Sequence, residues 1–120
     1  MQTLFSQYAA LGALVRYGAR ALNILNPYFS VGTMERIVTN GDVVTAKAMM
    51  RLLESLPQCR TSLNQVSFFD LHDPRESFYV GDELFVESLS FMESQAKNLP
   101  EDAVIAFPDL GAKKRFGNLF

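Results

Sequence analysis

Val66-Ser67-Phe68-Phe69-Asp70-Leu71-His72 is the stretch on which the reading of this chain turns. Val66 to Leu71 is a short apolar run rich in β-formers, and such a run between turn signals reads as a buried strand. Polar, turn-rich sequence from Pro57 to Asn64 precedes it, and Asp73-Pro74 closes it. Asp70 and His72 therefore mark the carboxyl end of a strand. Open parallel sheets bind their ligands just beyond such ends.

Working outward, Leu4, Tyr8, Leu11, Val15 and Leu22 recur at helical spacing and predict an amphipathic helix over residues 4–21. Ile24 and Leu25 lead into Pro27-Tyr28-Phe29, a strand expected to end near Phe29. Residues 30–41 have little periodicity and form a long loop, which makes them a functional candidate. Asp42 reads as the N-cap of a helix over 43–56, with Val44, Ala48 and Leu52 on one face. Phe78-Tyr79-Val80 reads as a short extended piece. Asp82 is expected to cap a helix with Phe85, Leu89, Met92 and Ala96 on one face, paired Glu93 and Lys97 on the other, and a stop at Asn98 and Pro100. Ala103 to Phe107 is expected as a third strand, and a new helix opens after Pro108-Asp109-Leu110-Gly111.

Alternating helices and strands predict an α/β fold, with a parallel sheet of about three strands, right-handed crossovers and helices on both faces. The chain has 120 residues, 48% of them apolar and ten of them Phe, enough for one domain with a real core. Lys and Arg total 11 against 13 Asp and Glu, so the net charge of −2 exerts no global pull on nucleic acid or anionic membrane. Cys59 is the lone cysteine and His72 the lone histidine, which excludes structural zinc. A single thiol suits a reducing compartment, and the cytoplasm is the expected one. Arg16 and Arg20 interrupt the apolar N-terminus, so neither a membrane span nor a signal peptide is expected.

Three strand ends bring chemistry to one predicted rim. The first supplies Thr33, Glu35 and Arg36; the second Asp70, His72 and Asp73; the third Asp109, Gly111, Lys113, Lys114 and Arg115. Carboxylate oxygens suit Mg²⁺, and Arg and Lys suit phosphate. A helix opening after Gly111 adds backbone N–H groups for an anion. Acyl transfer fits less well, because no Ser lies in a nucleophile elbow. Walker A and GxGxxG loops are also missing. Plainer readings stand beside each residue: a surface histidine, a turn-forming Asp109, a solvated basic helix face, a capping Asp82. Spacing alone supports no more than a nucleotide or sugar-phosphate binder.

The ordered landmarks add a resemblance. Pro27-Tyr28-Phe29, Thr45-Ala46-Lys47, Asp70-Leu71-His72 with Phe78-Tyr79, and Phe107-Pro108-Asp109 with Gly111, Ala112, Lys113 and Arg115 resemble successive segments of phosphoribosyl pyrophosphate synthetases. Gly32-Thr33-Met34-Glu35-Arg36, Gly41-Asp42-Val43 and Phe78-Tyr79-Val80-Gly81-Asp82 resemble the class II plant branch. The resemblance covers roughly residues 22–117. It implies a partial three-layer phosphoribosyltransferase-like fold. It also implies a ribose-phosphate diphosphokinase, which transfers diphosphate from ATP to ribose 5-phosphate with Mg²⁺ and makes phosphoribosyl pyrophosphate for nucleotide biosynthesis.

By the same resemblance, His72 contacts ATP and its metal, Asp70 belongs to the cation segment, and Asp109 lies at the metal and ribose-phosphate end. Arg36 is a nucleotide-site candidate, although Thr33-Met34-Glu35 stands before it where most of the family carries Arg-Gln-Asp. Nothing matches the ribose-phosphate loop of the family's C-terminal domain. Residues 1–120 are accordingly expected to be the second half of an N-terminal domain, inactive alone and homo-oligomeric. The alternative is a non-catalytic synthetase-associated subunit or oligomerisation module.

Overall fold

The computed structural model describes residues 2–120. They divide into two compact units, one ending at Leu89 and the other spanning Ser90–Phe120.

In the first unit the chain runs α1 (Gln2–Arg16), β1 (Asn23–Asn26), α2 (Thr45–Glu54), β2 (Asn64–Phe69), a 3-10 helix (Pro74–Tyr79) and β3 (Leu84–Leu89). The strands form one parallel sheet in the order β1-β2-β3. Ile24 pairs with Val66 in one ladder, and Val66 pairs with Val86 in the other. Side chains alternate across a strand. Asn64, Val66 and Phe68 of β2 are accordingly buried, while Gln65, Ser67 and Phe69 are half-buried.

The core lies on the Val66 face. Phe68, Met50, Val66 and Ala46 are fully buried there with Leu53, Leu56 and Leu84, and Tyr8, Leu11 and Val15 of α1 pack against them. Phe29 tilts against Phe68 with ring centroids 4.8 Å apart. Each large apolar side chain buried this way contributes roughly 1.5–3 kcal/mol. On the opposite face the Glu87 carboxylate accepts from Ser67 Oγ at 2.7 Å and from Gln65 Nε2 at 3.1 Å. Leu25 and Phe85, also on that face, stay more than half exposed.

The α/β class and the three parallel strands agree with the sequence reading, but the third strand is a different segment. Leu84–Leu89 occupies that place, and 103–107 is irregular, with Val104 almost wholly exposed. Phe85, Leu89, Met92 and Ala96 fit a helical period, yet Leu84 and Val86 fit a strand equally well over so short a run. Ladder bonds to β2 decide the matter. The expected helix from Asp82 shrinks to α3 (Phe91–Ala96), capped by Ser90 Oγ accepting from Glu93 N–H at 3.1 Å.

Asp42 does not cap α2 either. Its carboxylate accepts from the N–H groups of Val38 and Thr39 and from the Thr39 hydroxyl, closing a local turn that holds its pKa below the usual value. The Phe78-Tyr79-Val80 piece is not extended through Tyr79, because the 3-10 helix runs to that residue. In the second unit, α3 is followed by α4 (Leu110–Phe116) and a 3-10 turn over Gly117–Leu119, with Phe107 and Phe120 in edge contact at 6.1 Å.

Candidate functional site

Two loops meet at the carboxyl end of the first unit's sheet, one following β1 and one following β2. Beyond Phe69 the backbone turns sharply. Asp70 adopts φ 48, a left-handed conformation that Asp tolerates better than most residues. Its N–H donates to Leu89 O at 2.9 Å, extending the β2–β3 ladder by one residue. Leu71 then drops into the core, which leaves His72 exposed at the rim.

Asp73 begins the 3-10 helix as a capping box. Its Oδ1 accepts from Arg75 N–H at 2.9 Å, Glu76 Oε1 accepts from Asp73 N–H at 3.3 Å, and Pro74 occupies the first helical position. The Arg75 guanidinium also grips both Asp73 oxygens. That side-chain contact, reinforced by the backbone N–H, lowers the Asp73 carboxyl from 3.8 to about 2.

The loop after β1 is fastened to this helix. Gly32 N–H donates to Phe29 O at 3.1 Å and Met34 N–H to Val31 O at 3.3 Å. A Cβ on Gly32 would lie 3.1 Å from the Phe29 ring and 3.4 Å from Glu76 Oε2. The loop thus closes down on the buried Glu76, and a side chain at residue 32 would fit only if Phe29 gave way by a few tenths of an ångström. The Tyr79 hydroxyl donates to Glu35 O. Burial, with Glu76 and Glu35 nearby, raises the Tyr79 pKa. Arg36 follows directly, mostly exposed, with Nε 3.6 Å from Glu35 Oε1.

The structure therefore brings Arg36 and the Asp70–His72 segment to one rim. Asp109 belongs to the second unit and follows irregular chain rather than a strand. Its Oδ1 accepts from Ala112 N–H at 2.7 Å, which makes it the N-cap of α4. A Cβ on Gly111 would lie 3.1 Å from that oxygen, so glycine leaves room for the cap. The N–H expected to meet an external anion thus has an internal partner. Lys113, Lys114 and Arg115 form the last turn of α4, where positive charge complements the helix dipole. Arg115 also lies over the Phe116 ring at 4.6 Å.

Among the described residues, no group of three or more His, Cys, Asp and Glu side chains is arranged to hold a metal. Magnesium does not require one, since it is commonly bound through one or two carboxylates plus substrate phosphates. Asp70 is a donor of that kind at the rim. A cleft of about 570 Å³ opens among Arg16, Tyr17, Arg20, Arg60 and Thr61. Those residues precede β1 and β2, so it lies at the amino end of the sheet, away from Asp70 and His72.

Glu76 was not singled out from the sequence, and Tyr79 stood there only as part of the Phe78-Tyr79 landmark, not as a residue that joins the two loops. The Asp73-Pro74-Arg75-Glu76 spacing is a legible capping-box signal. The reach of Tyr79 to Glu35 spans 44 residues and leaves no local trace.

No family model matches the chain. A ribose-phosphate pyrophosphokinase 3 of rice (Oryza sativa subsp. japonica), chloroplastic by name, is 35% identical over 94% of the chain and 29% of its own length. Ribose-phosphate pyrophosphokinase 4 of rice is 33% identical over 97% of the chain and 37% of its own length. A mitochondrial counterpart of pyrophosphokinase 3 from spinach (Spinacia oleracea) is 34% identical over 94% of the chain. The curated relatives are ribose-phosphate pyrophosphokinases. The chain spans about a third of their length. A phosphoribosylpyrophosphate synthetase from Mycobacterium smegmatis superposes with a TM-score of 0.73 at 19% identity, over 97% of this chain and 40% of that one, and shares its fold. No helix among the described residues is long and apolar enough to cross a membrane.

Proposed function

We propose that the rim after β1 and β2 is the Mg-ATP side of a ribose-phosphate diphosphokinase, and that residues 1–120 correspond to the second half of its N-terminal domain. The observation that carries this reading is the turn at Asp70. It places a carboxylate and the only imidazole of the chain at the carboxyl end of the central strand, with Arg36 on the neighbouring loop. The 33–35% identity to pyrophosphokinases over nearly the whole chain supports it.

In the reaction so assigned, O1 of ribose 5-phosphate attacks the β-phosphorus of ATP and AMP leaves. Magnesium, when bound, neutralises charge on the phosphate oxygens, and Asp70 would hold it. His72 and Arg36 bind and orient the phosphates through charge-assisted hydrogen bonds. Asp109 is proposed for the ribose-phosphate side. Its capping bond to Ala112 leaves the second carboxylate oxygen for that task. The cytoplasm is the proposed compartment, on the lone Cys59. Homo-oligomerisation is proposed as well, because β1 and β3 each have a strand neighbour on one side within the described sheet.

Calorimetric titration of the chain with Mg-ATP tests the assignment. His72→Ala is expected to weaken binding about tenfold or more, the scale of one hydrogen bond to a charged group. Asp70→Asn is expected to weaken Mg-ATP more than ATP with EDTA. Equal affinities for wild type and both variants would refute the site.

A further inference from the structure

We propose that Asn40 is a site of spontaneous covalent modification, at which the Gly41 backbone nitrogen attacks the side-chain amide and leaves aspartate or isoaspartate in its place. The isoaspartate form lengthens the loop after β1 by one backbone carbon and adds a negative charge. This site stands independently of the Mg-ATP reading.

Of the six Asn in the chain, only Asn40 precedes a glycine. Glycine has no Cβ, so its backbone nitrogen approaches a neighbouring side chain unhindered. Asn26 precedes Pro27, whose nitrogen has no proton to lose. Asn64 is fully buried, with Nδ2 donating to Pro57 O at 2.9 Å. Asn23, Asn98 and Asn118 precede Ile24, Leu99 and Leu119, whose side chains crowd the nitrogen. The fold also presents the Asn40-Gly41 pair to water. Asp42 N–H donates to Thr39 O at 3.1 Å, so Asn40 and Gly41 are the central residues of a turn. Gly41 takes φ 100, which glycine reaches without steric cost. A Cβ on Gly41 would meet nothing within 4 Å, and Asn40 is itself exposed. Neither the Asn40 side chain nor the Gly41 N–H has a hydrogen-bond partner among the described residues. The Asp42 carboxylate is taken up by Val38 and Thr39, so it holds the base of the turn and leaves the tip free.

The Gly41 nitrogen gives its proton to hydroxide and attacks Asn40 Cγ. The new C–N bond closes a succinimide ring, the Cγ–Nδ2 bond breaks, and ammonia leaves. Water then opens the ring. Breaking the bond from the Gly41 nitrogen to Cγ gives aspartate. Breaking its bond to the main-chain carbonyl carbon of residue 40 gives isoaspartate, with the backbone running through Cβ and Cγ. Either product carries a carboxylate beside Asp42, and like charges that close repel. Isoaspartate also changes the length of the turn that Asp42 closes on Val38 and Thr39. The loop that carries Arg36 is thereby loosened at its far end.

The test ages the 120-residue chain in mildly alkaline buffer and follows each Asn peptide by mass spectrometry. Isoaspartyl methyltransferase with labelled S-adenosylmethionine measures the isoaspartate formed. Residue 40 should convert about tenfold faster than Asn98 or Asn118, or faster still, which is a barrier lower by about 1.4 kcal/mol. Asn40→Gln, which cannot close the same ring, should abolish the methyl labelling. Conversion at residue 40 no faster than at Asn98, or only after unfolding in urea, would overturn the site. In the aged, more acidic fraction the Val38 and Thr39 amides should exchange with solvent faster than in fresh protein. They should also exchange faster than in Asn40→Asp, which adds the charge without the backbone carbon. Equal exchange in all three would refute the loosening.

Discussion

Asp73→Ala should destabilise the first unit by about 1–2 kcal/mol at neutral pH. Two contributions are lost together. The Asp73 carboxylate caps the 3-10 helix through Arg75 N–H, and loss of such a cap costs about 1 kcal/mol. It also pairs with the guanidinium of Arg75, whose side chain is 77% exposed, so that pair contributes about 0–1 kcal/mol. Asp73→Asn separates the two, because Asn keeps a capping oxygen and loses the charge. It should cost only about 0.5 kcal/mol. Acid supplies a second handle. The Asp73 carboxyl lies at about 2 in the fold against the usual 3.8. A depressed carboxyl stabilises the fold above its unfolded pKa and loses that effect as pH falls through the native one. The gap between wild type and Asp73→Ala should therefore be complete at pH 7 and narrow between about pH 4 and pH 2. Urea unfolding followed by circular dichroism, at pH 7 and at steps down to pH 2.5, measures it. Equal midpoints at pH 7, or a gap that does not narrow in acid, would refute the assigned role.

Phe68→Ala should cost about 3–5 kcal/mol in the same urea assay, because the ring is fully buried against Phe29. Gly81→Ala should destabilise by about 1 kcal/mol or more, since its Cβ would come within 2.9 Å of Glu54 Oε1, the acceptor of the Gly81 N–H. Tyr79→Phe should cost about 1 kcal/mol and speed amide exchange around Glu35 and Arg36, because it unties the loop from the 3-10 helix.

The class of fold was legible because Val66 to Phe69 is short, apolar and bounded by turns, and Thr45 to Glu54 shows a plain helical face. The segment from Leu84 to Ala96 was not, since its apolar spacing satisfies a helix and a strand alike. Only pairing with β2, a contact some 20 residues distant, selects the strand. Asp42 misled for a related reason. Asp caps helices and closes turns with the same carboxylate, and here Thr39 claims it first. The rim residues Asp70, His72 and Arg36 could be named from their strand ends. Their mutual support could not, because it runs through Glu76 and Tyr79 to a loop more than 40 residues earlier.

Mapping amide shifts of the labelled chain during a Mg-ATP titration tests the central claim most directly. Changes should concentrate at residues 70–73 and at 33–37. The absence of any localised shift at millimolar Mg-ATP would contradict it. So would shifts confined to Arg16, Arg20 and Arg60 at the opposite end of the sheet.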